Sequence, residues 1–279
     1  MTEAQAAWGR EVLLSVEDGI AWVTLNRPDK RNAINPGIVR EMNAVLDAVE
    51  EDDAARVLVL TGAGSAFSAG QDLKEYFREP DQGPPLARER LLSANAAWQW
   101  RRMRFFPKPT IAMVNGWCFG GAFQVLIACD LAIAAEDARF GLSEINWGII
   151  PAGIVTRAVA DVMSQRDALY YIMTGETFDG REAAAMRLVN RAVPADRLRA
   201  ETEALARRLM EKNPHVLRAA KTAYHHVRQM SWEQAFDYLL AKSDQTKYRD
   251  PERGDQEGMR QFLDEKSYRP GLQAYRRDG

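Results

Sequence analysis

Two short β-branched and apolar runs, at residues 11–16 and 20–25, flank Glu17-Asp18-Gly19 and predict a hairpin. Asn35-Pro36 follows, an N-cap residue before a proline suited to the first helical position. Ile38, Met42, Val45, Leu46 and Val49 recur behind it at helical spacing. Residues 56–61 (RVLVLT) form a continuous apolar run, the pattern of a strand covered on both faces. A small-residue loop at 65–71 and a helical turn at 73–78 come next. The proline-rich stretch 79–85 is expected to be a mobile loop. Residues 86–104 read as a helix carrying Trp98 and Trp100, 110–114 as a buried strand, 121–129 as a buried helix and 131–135 as another strand. The order ββαβ, then αβαβ, predicts an α/β fold with crossover helices.

Beyond Phe140 the pattern turns helical, over 154–162, 166–173, 181–187, 196–212, 215–229, 232–247 and 252–265, with a short strand at 188–193. A sheet-rich front and a helical end predict a core over 1–195 and a helical region over 196–279 that packs on the core or on another subunit. The sequence shows no internal repeat.

Composition narrows the function classes. Hydrophobic residues at 46% and charged residues at 27% describe an ordinary globular chain. The 37 basic against 39 acidic residues leave a net charge of −2, so no basic field calls for nucleic acid. Two cysteines, Cys118 and Cys129, exclude a disulfide framework, and three histidines leave little for a metal centre. The N-terminus has no basic start followed by an apolar run, and a cytoplasmic protein is expected. The 21 uncharged residues from 109 to 129 approach the length of a membrane span. Asn115, Gln124 and three glycines within them favour a strand, a turn and a helix instead.

Two glycine-bearing turns are the first candidates for chemistry: Ser68-Ala69-Gly70-Gln71-Asp72, and Asn115-Gly116-Trp117-Cys118-Phe119-Gly120-Gly121. Each follows a predicted strand, where α/β sheets bind ligands. A glycine turn entering a helix leaves backbone N–H groups free, and two such groups from two turns can hold one oxygen as it gains charge. The same glycines also fit plain tight turns. Glu144 stands between Leu142, Ile145 and Trp147, and a carboxyl group in an apolar pocket is pushed toward the pKa that proton transfer needs. An exposed loop glutamate would carry the same letters. The adjacent His225-His226 point apart on a helix and cannot share a metal. Arg101, Arg102, Arg104 and Lys108 read as a solvated basic face. No nucleophile elbow, zinc-protease motif or phosphate-loop lysine occurs.

Four segments in register resemble the crotonase family of enoyl-CoA hydratases and isomerases. They are Leu25–Ala33 (LNRPDKRNA), Ser68–Leu73 (SAGQDL), Asn115-Gly116 with Gly120-Gly121, and Phe140–Glu144 (FGLSE). The likeness spans residues 11–266. It is greatest to the branch that hydrates and then cleaves hydroxycinnamoyl thioesters, through Asp72–Glu79 (DLKEYFRE), Lys108–Gly121 (KPTIAMVNGWCFGG), Gly141–Gly148 and Gly271–Tyr275. The resemblance implies a ββα-spiral core, a helical C-terminal region that completes trimers or hexamers, and an acyl-CoA substrate with no cofactor beyond the coenzyme A that the substrate carries. It implies an oxyanion hole from the N–H groups of Gln71 and Gly121 and a catalytic Glu144. It puts Lys30, Ala69, Leu73, Ser143 and Trp147 on positions lining the coenzyme A or acyl part.

The chain departs from that pattern twice. Gln124 stands where ordinary hydratases carry a second glutamate and the hydratase-lyases a serine. Two tyrosines grip the phenolic hydroxyl in the hydratase-lyases; Tyr76 matches one, and the other falls on Leu240. The implied activity is hydration of a hydroxycinnamoyl-type enoyl-CoA followed by cleavage to an aromatic aldehyde and acetyl-CoA. The alternatives are hydration without cleavage on another aryl or alicyclic thioester, or acyl-CoA binding without catalysis.

Overall fold

The computed structural model describes residues 9–277. The extreme N-terminus, on which the reading of a missing leader rests, lies outside them. The hairpin forms as expected from β1 (Val12–Glu17) and β2 (Ile20–Leu25), closed by Asp18 and Gly19, both with positive φ. Asn35 caps the helix Pro36–Glu51 by accepting from the Ile38 N–H at 2.9 Å, and that helix buries Ile38, Met42, Val45, Leu46 and Val49.

The chain then repeats one unit: a long strand, a short strand and a helix. The long strands β3 (Val57–Gly62), β5 (Thr110–Val114) and β7 (Leu131–Ala135) lie parallel beside β2, and β10 (Arg191–Val193) completes a six-stranded sheet in the order β1-β2-β3-β5-β7-β10. Every residue of β3 and β5 is buried, as continuous apolarity requires. The short strands β4 (Ala66–Ser68), β6 (Trp117–Phe119) and β8 (Arg139–Gly141), with β9 (Thr177–Asp179), form a second, four-stranded sheet. This sheet corrects the sequence reading, which has a loop at 65–71 and a bare turn at 115–121. Its strands are three residues each, too short for alternation to show. The units repeat in topology although not in sequence, and their succession is the ββα spiral. The uncharged stretch 109–129 divides into β5, β6 and the helix Ala122–Ala128, and no helix of the described residues is long and apolar enough to cross a membrane.

The predicted helix over 86–104 is more interrupted than expected. It runs as an α-helix over Pro85–Ala96, widens into a π-helical turn at Ala97–Arg102 and ends at Phe105. A second π turn occupies Leu73–Arg78, capped by the Asp72 carboxylate, which accepts from the N–H groups of Lys74 and Glu75. Of the basic cluster, Arg102 pairs with Asp47 at 2.7 Å, and Lys108 donates to the Val49 and Asp52 carbonyls where the helix Pro36–Glu51 ends. These side chains hold two helices together.

At the C-terminal end, the helix Leu198–Met210 packs on β3, β5 and β7. The helices Pro214–Val227 and Trp232–Arg249 pack on each other. A buried ion pair, Lys221 to Asp130 at 2.8 Å, ties the first of them to the core. The Tyr275 hydroxyl accepts from the Asn213 amide at 3.1 Å, which ties the segment after the last helix to the start of the helix Pro214–Val227.

Candidate active site

The short strands decide where the chemistry can sit. β4, β6 and β8 run parallel side by side, so the segments leaving their C-terminal ends, at 69–72, 120–121 and 142–144, converge on one place. The first loop is pinned on both sides. Ser68 Oγ donates to the Asn32 carbonyl at 2.8 Å and accepts from the Gly70 N–H at 3.1 Å. The Ile34 N–H donates to the Gly70 carbonyl, and the Asp72 N–H donates to the Ile34 carbonyl. Gly70 has a φ of +85°, and a side chain there would come within 2.7 Å of the Phe119 carbonyl oxygen and 3.0 Å of the Gly121 nitrogen. Only glycine lets the two turns approach so closely.

Among the described residues, neither the Gln71 N–H nor the Gly121 N–H has an acceptor in the protein. Two free donors from adjacent turns, one of them at the mouth of the helix Ala122–Ala128, suit an oxygen that gains negative charge. The Gln71 carboxamide lies over Gly121, its Oε1 filling the space where a Cβ would stand, 1.4 Å from that point. Gln71 Nε2 donates to Gln99 Oε1 at 3.2 Å, and Gln99 Nε2 reaches the Gly121 carbonyl at 3.5 Å. Gln99 thus links the residues that carry both donors.

Glu144 faces this pair from the 3₁₀ turn Ser143–Trp147. Its Oε1 would lie 3.2 Å from a Cβ on Gly120, and Gly120 is anchored by its N–H to the Gly141 carbonyl at 3.0 Å. Glu144 Oε2 is buried without a hydrogen-bond partner, and burial raises the carboxyl pKa above its ordinary 4.5.

These groups open into a cavity of about 1060 Å³. Of the residues singled out in the sequence, Ala69, Gln71, Leu73, Tyr76, Gly121, Gln124, Ser143, Glu144 and Trp147 line it. Gln124 comes from the helix Ala122–Ala128 and packs on Gly153, and its amide makes no side-chain hydrogen bond to a described residue. Tyr76 is buried in the wall opposite the strand ends, and desolvation pushes its phenol up to about 12, so it remains a neutral hydroxyl. Two residues are not brought there. Lys30 lies in the turn Pro28–Lys30 and does not line the cavity; its neighbour Arg31 does, with its guanidinium 4.7 Å over the Trp117 ring. Leu240 is exposed on the helix Trp232–Arg249, away from the cavity of its own chain.

Sequence reasoning missed Arg31, Trp117, Asn95 and Trp100, all on the cavity wall. Asn95 lies inside a helix, where asparagine ordinarily reads as a solvent-facing residue, so it carried no signal. A second carboxylate, Asp81, reaches the rim, where Arg88 holds it at 2.6 Å. A smaller cavity of about 480 Å³ shares Trp100, Gln124 and Ile154 with the first and is lined further back by Asp130, Lys221 and His225. His225 and His226 both pack on Phe105, and burial beside Arg104 pulls the His225 pKa down to about 4. Among the described residues no group of three His, Cys, Asp or Glu side chains is placed to hold a metal ion.

Known proteins share this fold and much of this sequence. Over residues 15–269 the chain matches the family described as enoyl-CoA hydratase/isomerase. It is 57% identical to the hydroxycinnamoyl-CoA hydratase-lyase of Pseudomonas fluorescens, over 99% of this chain and 100% of that protein. It is 31% identical to the 2,3-dehydroadipyl-CoA hydratase of Escherichia coli, over 84% of this chain and 92% of that one. Among solved structures, an enoyl-CoA hydratase from Mycobacterium smegmatis superposes with a TM-score of 0.83 at 28% identity, covering 92% of this chain and 97% of the other. The two glycine turns, the spiral that sets them side by side and a match across nearly the whole length lead to one conclusion: the chain belongs to the enoyl-CoA hydratase/isomerase family.

Proposed function

We propose that the chain hydrates a hydroxycinnamoyl-type enoyl-CoA and cleaves the resulting 3-hydroxyacyl thioester to an aromatic aldehyde and acetyl-CoA. The observation that carries this reading is the pairing of two free N–H donors with one desolvated carboxylate in a cavity walled by aromatic side chains. The full-length likeness to the Pseudomonas hydratase-lyase supports the choice of substrate. The coenzyme A part enters bound to the acyl group, and no further cofactor is called for.

In the first half, the Glu144 carboxylate takes a proton from water as the water oxygen bonds to C3. The C2–C3 π electrons shift toward the thioester, and its oxygen becomes an enolate held by the N–H groups of Gln71 and Gly121. Glu144 then returns the proton to C2. In the second half, Glu144 takes the proton of the C3 hydroxyl, C3 becomes the aldehyde carbon, and the C2–C3 bond electrons form the enolate of acetyl-CoA on the same two donors. The proton on Glu144 moves to that C2. One hole and one carboxylate serve both halves because both place charge on the same oxygen. Gln124 cannot exchange a proton; its free amide can orient the water.

Incubation with feruloyl-CoA and with crotonyl-CoA, followed by separation of aldehyde from 3-hydroxyacyl thioester, tests the reading. Vanillin and acetyl-CoA in equal amounts are expected. Accumulation of the 3-hydroxyacyl product without aldehyde supports hydration alone.

The pH dependence follows from the burial of Glu144. The ionised form accepts the proton, and its pKa is raised, so kcat/KM falls as pH drops through a value above 4.5. An acid limb below 4.5 would contradict the assignment.

The helical C-terminal region is proposed to assemble the chain. The helix Trp232–Arg249 buries none of its residues, and Trp232 (91% exposed), Phe236 (66%) and Leu240 (54%) follow one another at four-residue steps along one face. A trimer or hexamer would cover that stripe, and Leu240 would meet an acyl ring only across such an interface. Sedimentation is expected to show a trimer or a multiple of it, and Phe236→Glu to lower the assembled fraction. A full-length chain that sediments as a monomer at micromolar concentration would contradict this.

A further inference from the structure

Three buried side-chain polar atoms among the described residues lack a hydrogen-bond partner: Asn95 Oδ1, Trp98 Nε1 and Glu144 Oε2. Two of the three, those of Asn95 and Glu144, belong to residues that line the same cavity. A buried acceptor left unpaired is costly, and where it borders a ligand cavity a ligand donor accounts for it.

The direction of the Asn95 amide is set by its neighbours. The Gly121 carbonyl can only accept, so Gln99 turns its Nε2 toward it at 3.5 Å. That leaves Gln99 Oε1 to accept from Gln71 Nε2 at 3.2 Å and from Asn95 Nδ2 at 2.6 Å. Asn95 must therefore spend its nitrogen on Gln99, and its oxygen is the atom left over. The Asn95 amide also lies near the Tyr76 phenol and partly offsets the effect of burial there. The Tyr76 hydroxyl, a donor as well as an acceptor, can give its proton to a ligand oxygen.

We infer that Asn95 is a specificity-determining residue: its Oδ1 accepts a hydrogen bond from a hydroxyl on the aryl end of the acyl group, whose oxygen accepts from Tyr76. The inference rests on the aryl-thioester reading above and deepens it. One donor beside one acceptor is the complement of a single hydroxyl group. A methoxy group offers an acceptor alone, and an unsubstituted ring offers neither. Neither orphan oxygen is open to bulk water in the free chain, and Glu144 shares that state with Asn95, so both are completed when substrate fills the site. Recognition of the ring hydroxyl then needs no second tyrosine, and Leu240 is free to serve packing.

Binding of three saturated thioesters, which cannot be hydrated, tests this by calorimetry: 4-hydroxyphenylpropanoyl-CoA, its 4-methoxy counterpart and phenylpropanoyl-CoA. The wild type is expected to prefer the hydroxy over the methoxy ring by on the order of 10- to 100-fold. Asn95→Leu should weaken the hydroxy ligand by about tenfold more than it weakens the unsubstituted one. Asn95→Ala, which removes the amide without adding bulk, carries the same comparison if the leucine variant does not fold. Equal losses for the two ligands would make Asn95 a mere support for Gln99 and overturn the inference. So would a wild type that binds hydroxy and methoxy rings alike. A wild type that turns over feruloyl-CoA yet gives either result loses this inference alone. A wild type that binds none of the three thioesters loses the aryl-thioester reading, and this inference with it.

Discussion

Glu144→Gln is expected to lower turnover of a hydroxycinnamoyl thioester by roughly 10²–10⁴-fold, the usual contribution of a general acid–base group, with more lost if both halves of the reaction depend on it. The amide fills the same space against Gly120, so the fold and thioester binding should survive. The other carboxylate lining the cavity, Asp81, is held by Arg88 at the rim and cannot substitute. A stability readout accompanies the loss. Burial raises the folded-state pKa of Glu144, so the folded chain binds a proton more readily than the unfolded one. The favourable contribution is present at low pH and is lost as pH rises through the folded pKa. At neutral pH the wild type therefore carries a disfavoured ionised group that the glutamine variant lacks. The variant should melt no lower than the wild type at pH 7, and its relative advantage should shrink as pH falls. Turnover within threefold of wild type would remove Glu144 from the mechanism.

The second large effect is expected at Gly121. Its φ of −60° suits any residue, so the demand for glycine is one of space. A Cβ would stand 1.4 Å from Gln71 Oε1, and the carboxamide would have to leave. Gly121→Ala moves Gln71 off Gln99; Gly121→Val in addition crowds the oxygen between the two donors. The valine variant should lose on the order of 10²–10³ in kcat, comparable to removing one oxyanion donor, and the alanine variant less. Gly83, where a Cβ would meet nothing closer than 3.5 Å, provides the control: Gly83→Ala should leave turnover alone. Normal turnover by a folded Gly121→Val would withdraw this N–H from the proposed hole.

Particular residues show why some of this was legible in the sequence. Gly70 stands out because close backbone approach at a positive φ admits no other residue, and Gly121 because the Gln71 carboxamide fills the place of a side chain; such constraints leave a letter behind. The hairpin, the helix behind Asn35-Pro36 and the buried strands β3 and β5 were legible because their periodicity or apolarity runs for five residues or more. The second sheet was not, because three residues such as Ala66–Ser68 define no period. The wide turn at Ala97–Arg102 was equally silent: its letters suit an α-helix, and nothing in them marks the extra residue of the turn that buries Trp98 and Gln99. Asn95 gave no sign because its importance lies in a partner it lacks. Leu240 was visible only through resemblance, and its place along an uncovered helix face explains why one chain alone does not bring it to the cavity.

The two walls of the cavity differ in how they are built, and this sets the order in which they fail on heating. The donors and Glu144 hang from β4, β6 and β8, which pair with one another and pack Phe140 and Phe178 face to face beneath them. The opposite wall consists of two π turns and the poorly covered helix Pro85–Ala96, whose only buried residue is Asn95. Amide hydrogens of 73–102 should exchange through local opening, whereas those of the short strands should await global unfolding. Selectivity among acyl groups then erodes on warming at temperatures where catalytic competence persists, and the enzyme becomes indiscriminate before it becomes inactive.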